Sequence, residues 1–170
     1  AYDGFYHFAL LQSHIHEVWL RRQASTLESR NRYTPTDCFQ TFPLPQTLNA
    51  QHRSTAEQIG QAYYEHRQQI MQHTQFGLTK TYNRFHNPAC QDGDIEEMRR
   101  LHAEMDHAVL ACYGWEDIPL QHDFYPNDRK KIRFMPSREA QRELFTRLLA
   151  LNQEIAAQEA TQGLVVETGE

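Results

Sequence analysis

The chain has 170 residues, 39% of them hydrophobic and 23% charged, with a formal net charge of −5. That size and balance suit one globular domain, or one domain plus an appendage, and argue against a globally basic, histone-like nucleic-acid binder while leaving room for a binder with one basic face. No apolar run reaches the roughly 18 residues needed to span a membrane, no secretory signal opens the chain, and Cys38, Cys90 and Cys112 are too few for a disulfide framework, so a cytoplasmic setting is expected.

Four amphipathic helices are predicted from apolar spacing. The first covers Phe5–Arg22, where Phe8, Leu11, Ile15, Val18/Trp19 and Arg22 step by three and four. After it comes "LESRNRYTPTDCFQTFPLP", Leu27–Pro45, whose Thr, Asp and Pro around Phe39 and Phe42 predict a short extended or β segment near residues 30–43. The second helix covers Thr55–His73, with Thr55 and Gln58 placed as a capping box and Ile59, Tyr63, His66 and Ile70 as a thin stripe. Residues Gly77–Gln91, "GLTKTYNRFHNPACQ", read as a loop.

The third helix has the clearest signal. Asp94 is placed to cap it and Glu97 to reciprocate; Ile95, Met98, Leu101, Met105, Val109 and Cys112 form its stripe, and Gly114 ends it. Trp115–Arg133 reads as an irregular connection with one short strand at Lys131–Phe134. The fourth helix is expected to start at Ser137 after Pro136 and to bury Ala140, Leu144, Leu148, Leu151 and Ile155. The fold expected is therefore mainly α, an irregular bundle of amphipathic helices with a short β segment. The aromatic-rich opening helix has no strand set to pack it, which suggests a fragment of a larger protein. Residues 1–48 are expected to close a recognition region, 49–160 to form a helical region, and 161–170 to fray.

Most catalytic chemistries find no motif. Neither G-x-G-x-x-G nor G-x-x-x-x-G-K-[ST] is present to cradle nucleotide phosphates. "NPAC" at Asn87–Cys90 lacks the second proline and the aromatic of an amino-methyltransferase motif. The ten histidines include His102 and Asp106, four apart on one helix face. Without Cys-x-x-Cys or H-E-x-x-H they read as helix-surface histidines, with His102 at the core edge and no metal. Asp128 and Lys130 in "PNDRK" read as a solvated loop rather than a Mg²⁺ nuclease site. No nucleophile elbow or Cys–His pair appears.

Recognition residues are more apparent. In an extended segment Arg30 and Arg32 project to one side, where two guanidinium forks suit phosphate or guanine O6 and N7. Tyr33, Arg21 and Arg22 are near in sequence, and Lys80, Asn83 and Arg84 add the donors common at DNA surfaces. These eight residues are the DNA-contact candidates. A second basic run, Arg129, Lys130, Lys131, Arg133, Arg138 and Arg142, lies further on. Surface ion pairing, for instance with Glu28, is the alternative reading of the arginines.

Four stretches occur in an informative order: "ALLQSHIHEVWLR", "LESRNRYTPTDCFQTFPLP", "GLTKTYNRFHNP…DIEEMRRLHAEMDHAVLACYGW" and "RFMPSREAQRELFTRLLALN". Together they resemble the C-terminal part of large single-chain type II restriction–modification and phage-defence DNA methyltransferases, over Phe5 to Asn152. The resemblance implies the end of a target-recognition domain plus a helical tail. It further implies a parent that methylates adenine N6 using S-adenosylmethionine bound in an upstream methyltransferase domain, in some members with a nuclease. The fragment itself is expected to hold no cofactor and to meet double-stranded DNA. The alternative is a structural helical module that braces the methyltransferase or meets a partner protein.

Overall fold

The computed structural model describes residues 4–23, 26–27, 30–31 and 40–167, with side chains described over 4–22 and 40–161. It is mainly α, as the periodicity predicts. The elements are α1 (Phe5–Gln12), α2 (His14–Gln23), β1 (Thr26–Leu27), β2 (Arg30–Asn31), α3 (Ala50–Thr74), α4 (Leu78–Phe85), α5 (Gly93–Tyr113), β3 (Asp123–Pro126), β4 (Ile132–Met135) and α6 (Arg138–Glu167).

The single first helix of the sequence reading is two helices. Ser13 adopts an extended conformation (φ −67°, ψ 156°). Its N–H still donates to the Ala9 carbonyl and its hydroxyl to the Leu10 carbonyl, closing α1. Its own carbonyl accepts from Glu17 N–H, opening α2. A serine that satisfies backbone groups on both sides stands in for the lost helical bonds. The kink rephases the stripe: Tyr6, Ala9, Leu10, Ile15, Val18 and Trp19 are buried, while Leu11 is exposed.

α3 starts five residues earlier than the expected capping box. Asn49 is its cap, its side chain accepting from Gln51 N–H at 2.7 Å, while Gln58 donates to Ser54 instead. The predicted stripe of α3 missed Gly60, where α1 comes closest. A Cβ at Gly60 would lie 2.6 Å from the Phe5 carbonyl oxygen and 3.0 Å from Ala9 Cβ. Only glycine permits this approach of two backbones.

Residues 78–85, read as loop, form α4. Thr81 and Phe85 are its buried face, and Tyr82 joins Tyr63 through their hydroxyls at 2.9 Å. In α5 every residue of the predicted stripe is buried and Gly114 closes the helix at φ 70°. Its cap, however, is Asp92, and Glu97 pairs with Arg100. Tyr63 meets His102 while His66 meets the Asp94 carbonyl, so α3 and α5 run antiparallel.

The strand expected at Lys131–Phe134 is β4, and it has an unforeseen partner. β3 pairs with it antiparallel, from Asp123 opposite Met135 to Pro126 opposite Ile132. The turn between them is fixed by Asn127, whose side-chain oxygen accepts from the N–H groups of Arg129 and Lys131, with Lys130 left-handed at φ 59°. α6 begins at Arg138, one residue after the expected start, with Ser137 as its cap accepting from Ala140 N–H. α6 buries Ala140, Leu144 and Leu148 and runs on to Glu167, through part of the stretch expected to fray. It packs chiefly on α2.

Candidate nucleic-acid interface

α2, the β3–β4 hairpin and α6 enclose a groove of about 110 Å³. α2 supplies Val18, Arg21 and Arg22; the β3–β4 turn supplies Pro126, Asn127 and Asp128; β4 and α6 supply Met135, Arg138, Gln141 and Arg142. Four arginines thus face one acidic side chain of the turn.

The two arginine pairs have different physical standing. Arg21 and Arg22 occupy the last turn of α2, where the negative end of the helix dipole favours cations. Arg21 is also fixed by Glu17, to which it donates at 3.0 and 2.5 Å, and Arg22 lies over the Phe145 ring at 5.3 Å. Helix stability alone accounts for these two residues. It does not account for Arg138, which opens α6 at the positive end of the dipole beside Glu139, nor for Arg142, which stands one turn further in. A cation in the first turn costs a few tenths of a kcal/mol to about 1 kcal/mol. An anion seated in the groove reverses that sign, because the free N–H groups of α6 and the guanidinium groups then act together. Arg138 donates to the Pro126 carbonyl at 3.2 Å, which joins the hairpin to the helix start.

The remaining candidates fall elsewhere. Lys80, Asn83 and Arg84 stand on α4, which packs on α3 and α5 and contributes nothing to the groove. Arg84 is engaged by Asp92 and Asp94 at 2.8 and 3.1 Å, and Lys80 lies over the Phe76 ring at 5.1 Å. Asn83 is exposed. Arg30 begins β2, but its side chain, together with Arg32 and Tyr33, lies outside the described residues. The second basic run, by contrast, supplies two of the four arginines of the groove, Arg138 and Arg142. The signal available in the sequence was the spacing: Arg138 and Arg142 are four apart at the start of a helix and so share one face.

Beneath the groove lies a polar cluster where the sequence reading expected surface histidines. Asp106 is fully buried on α5. Its carboxylate accepts from the backbone N–H of His14 at 2.8 Å and pairs with His14 Nδ1 and His122 Nε2, both at 2.7 Å. The ring of His102, also buried, packs 4.4 Å from that of His14, and neither of its nitrogens has a hydrogen-bond partner. Burial, then the charge of His14, push the His102 pKa down to about 3. Among the described residues, His14, Asp106 and His122 are the group able to hold a metal ion together.

Comparison with known proteins agrees with the resemblance read from the sequence. Residues 2–46 match the family model of the MmeI target recognition domain. The matched segment takes in α1, α2 and the aromatic–proline run that follows. The solved structure of the type IIL restriction–modification enzyme MmeI in complex with DNA is similar in fold, with a TM-score of 0.62 at 20% identity. The match covers 92% of this chain and 17% of that one, so the chain spans about a sixth of that enzyme's length. No curated protein matches the chain. Residues 2–46 are thus similar in sequence to the MmeI target recognition domain, and the chain shares the fold of the matching part of that enzyme.

Proposed function

We propose that this chain is the DNA-recognising end of an adenine-N6 methyltransferase of the restriction–modification class, and that the groove between α2, the β3–β4 turn and α6 receives the duplex backbone. The observation that carries this reading is the pair Arg138 and Arg142 at the start of α6, facing Arg21 and Arg22 across one groove. The charge of Arg138 opposes the helix dipole, and a phosphate between the four guanidinium groups removes that conflict. The domain match at residues 2–46 and the likeness to a DNA-bound enzyme support the same partner. Under this reading the chain positions DNA and carries no catalytic step. S-adenosylmethionine and the adenine chemistry belong to an upstream domain of the parent protein.

α4 and α5 serve this reading as a brace. α5 is the core of the molecule, and its arginine Arg99 is spent on backbone carbonyls rather than on a surface.

Binding of a fluorescent duplex across a salt series tests the proposal. Each phosphate contact contributes roughly 0.9 to the slope of log affinity against log salt. Arg138→Gln and Arg142→Gln are each expected to lower the slope by about one and to weaken cognate and scrambled duplexes alike. Unchanged affinity and slope in a double variant that still folds would reject the groove as the DNA surface and leave a purely structural module.

A further inference from the structure

The groove rests on a cluster that the DNA reading does not use. We propose that His14, Asp106 and His122 form a structural site for a zinc-like divalent transition metal, with His102 as the fourth ligand.

The donor set fits that ion. Imidazole and carboxylate are ordinary zinc ligands, and structural sites are four-coordinate and closed to solvent. His14 Nδ1, an Asp106 carboxylate oxygen and His122 Nε2 all lie within 4.8 Å of one another. Tetrahedral coordination at roughly 2.0–2.1 Å places ligand atoms about 3.3 Å apart. The two 2.7 Å contacts to Asp106 therefore open by about half an ångström, within reach of side-chain rotation.

Two further observations point to an occupant. His102 is 4% exposed, carries two ring nitrogens without partners, and holds Nε2 4.0 Å from the Asp106 carboxylate. A buried imidazole with both nitrogens idle is costly, and a ring turned onto the metal relieves that cost. The opposite nitrogen of His14, Nε2, faces the Glu17 carboxylate at 3.7 Å. A metal-bound imidazole commonly directs its second nitrogen to a carboxylate, which fixes the tautomer. A metal takes the lone pairs of His14 Nδ1 and His122 Nε2, so any proton on those nitrogens leaves to solvent, while Glu17 is placed to accept from His14 Nε2–H.

The placement gives the ion a purpose. His14 opens α2, Asp106 is in the middle of α5, and His122 leads into β3. One ion ties both walls of the groove to the central helix. The metal is inferred from the cluster alone and stands whether or not the groove binds DNA.

The test uses the protein stripped with chelator and then titrated with Zn²⁺ by calorimetry and with Co²⁺ by visible absorption. The expected result is one equivalent per chain, a tetrahedral cobalt band and a rise in melting temperature. His122→Gln keeps an N–H for Asp106 but removes the imidazole. It is expected to fold, by far-ultraviolet circular dichroism, and to lose stoichiometric binding, while His107→Gln, a neighbour outside the set, retains it. X-ray absorption at the zinc edge of the unmutated protein provides the second measurement and should show imidazole scattering. Uptake well below one equivalent, full binding by a folded His122→Gln, or a zinc shell without imidazole overturns the proposal.

Discussion

Replacing Arg99 with methionine isolates the interaction that holds the segment between α4 and α5. Arg99 lies on α5 and is 8% exposed. Its guanidinium donates to four backbone carbonyls: Phe85 at 2.9 Å, Cys90 at 2.8 Å, Arg84 at 3.1 Å and Asn87 at 2.9 Å. Two of these belong to the last turn of α4, where the Arg84 carbonyl also accepts from the Asn87 N–H, and two belong to the loop that follows. The same group lies 4.9 Å from the centre of the Phe124 ring on β3. Methionine keeps the length and apolar stem of the side chain but donates nothing. At about 1 kcal/mol net for each bond lost, the cost is about 4 kcal/mol, within the range for breaking a buried charged network. For a domain of this size that is a fall of about 10 °C in melting temperature. Thermal melting by circular dichroism measures the loss, and hydrogen exchange should show it concentrated in residues 86–92. The adjacent Arg100→Met is the control, because Arg100 makes only surface pairs with Glu97 and Glu104 and should melt like the parent. An Arg99→Met protein that melts within about 2 °C of the parent would refute the carbonyl-clamp account.

Other outcomes follow from the same geometry. Gly60→Ala, a change that normally stabilises a helix by up to about 1 kcal/mol, should instead cost about 1–3 kcal/mol in urea unfolding, because its Cβ meets the Phe5 carbonyl at 2.6 Å. Met105→Asp and Leu148→Asp should each cost several kcal/mol, since both side chains are fully buried in the shared core; parent-like melting of either removes that residue from the core. Arg84→Ala should lower the melting temperature through loss of its pairs with Asp92 and Asp94 and leave duplex affinity unchanged, which a paired melt and binding measurement will show.

Local physics was legible in the sequence wherever one helix face decides burial. The stripe of α5 from Ile95 to Cys112 is buried as its spacing predicts, because 3.6-residue periodicity and a terminal glycine are properties of the segment itself. The start of α6 next to Pro136 and the strand β4 were readable for the same reason. The order of the four quoted stretches was enough to reach the target recognition domain that the match over residues 2–46 supports. What was misread depended on neighbours. Residues 78–85 have a polar, loop-like composition, yet Tyr63 and Arg67 on α3 supply the partners for Tyr82 that make a helix there worthwhile. The break at Ser13 interrupts a sequence with helical spacing throughout, and it lets α1 lie against Gly60 while Trp19 enters the core.

The site shows the same division. Arg21 and Arg22 could be named from their neighbourhood in the chain, but the groove is completed by Arg138 and Arg142, more than a hundred residues away. His14, Asp106 and His122 share no spacing that marks a ligand set, and they meet only because α2, α5 and the lead-in to β3 converge. Sequence determined which helices form and which face each buries, since those follow from side chains three and four residues apart. Tertiary structure alone decided which distant charges share a groove and which imidazoles share a carboxylate, because those contacts are set by how the chain returns on itself.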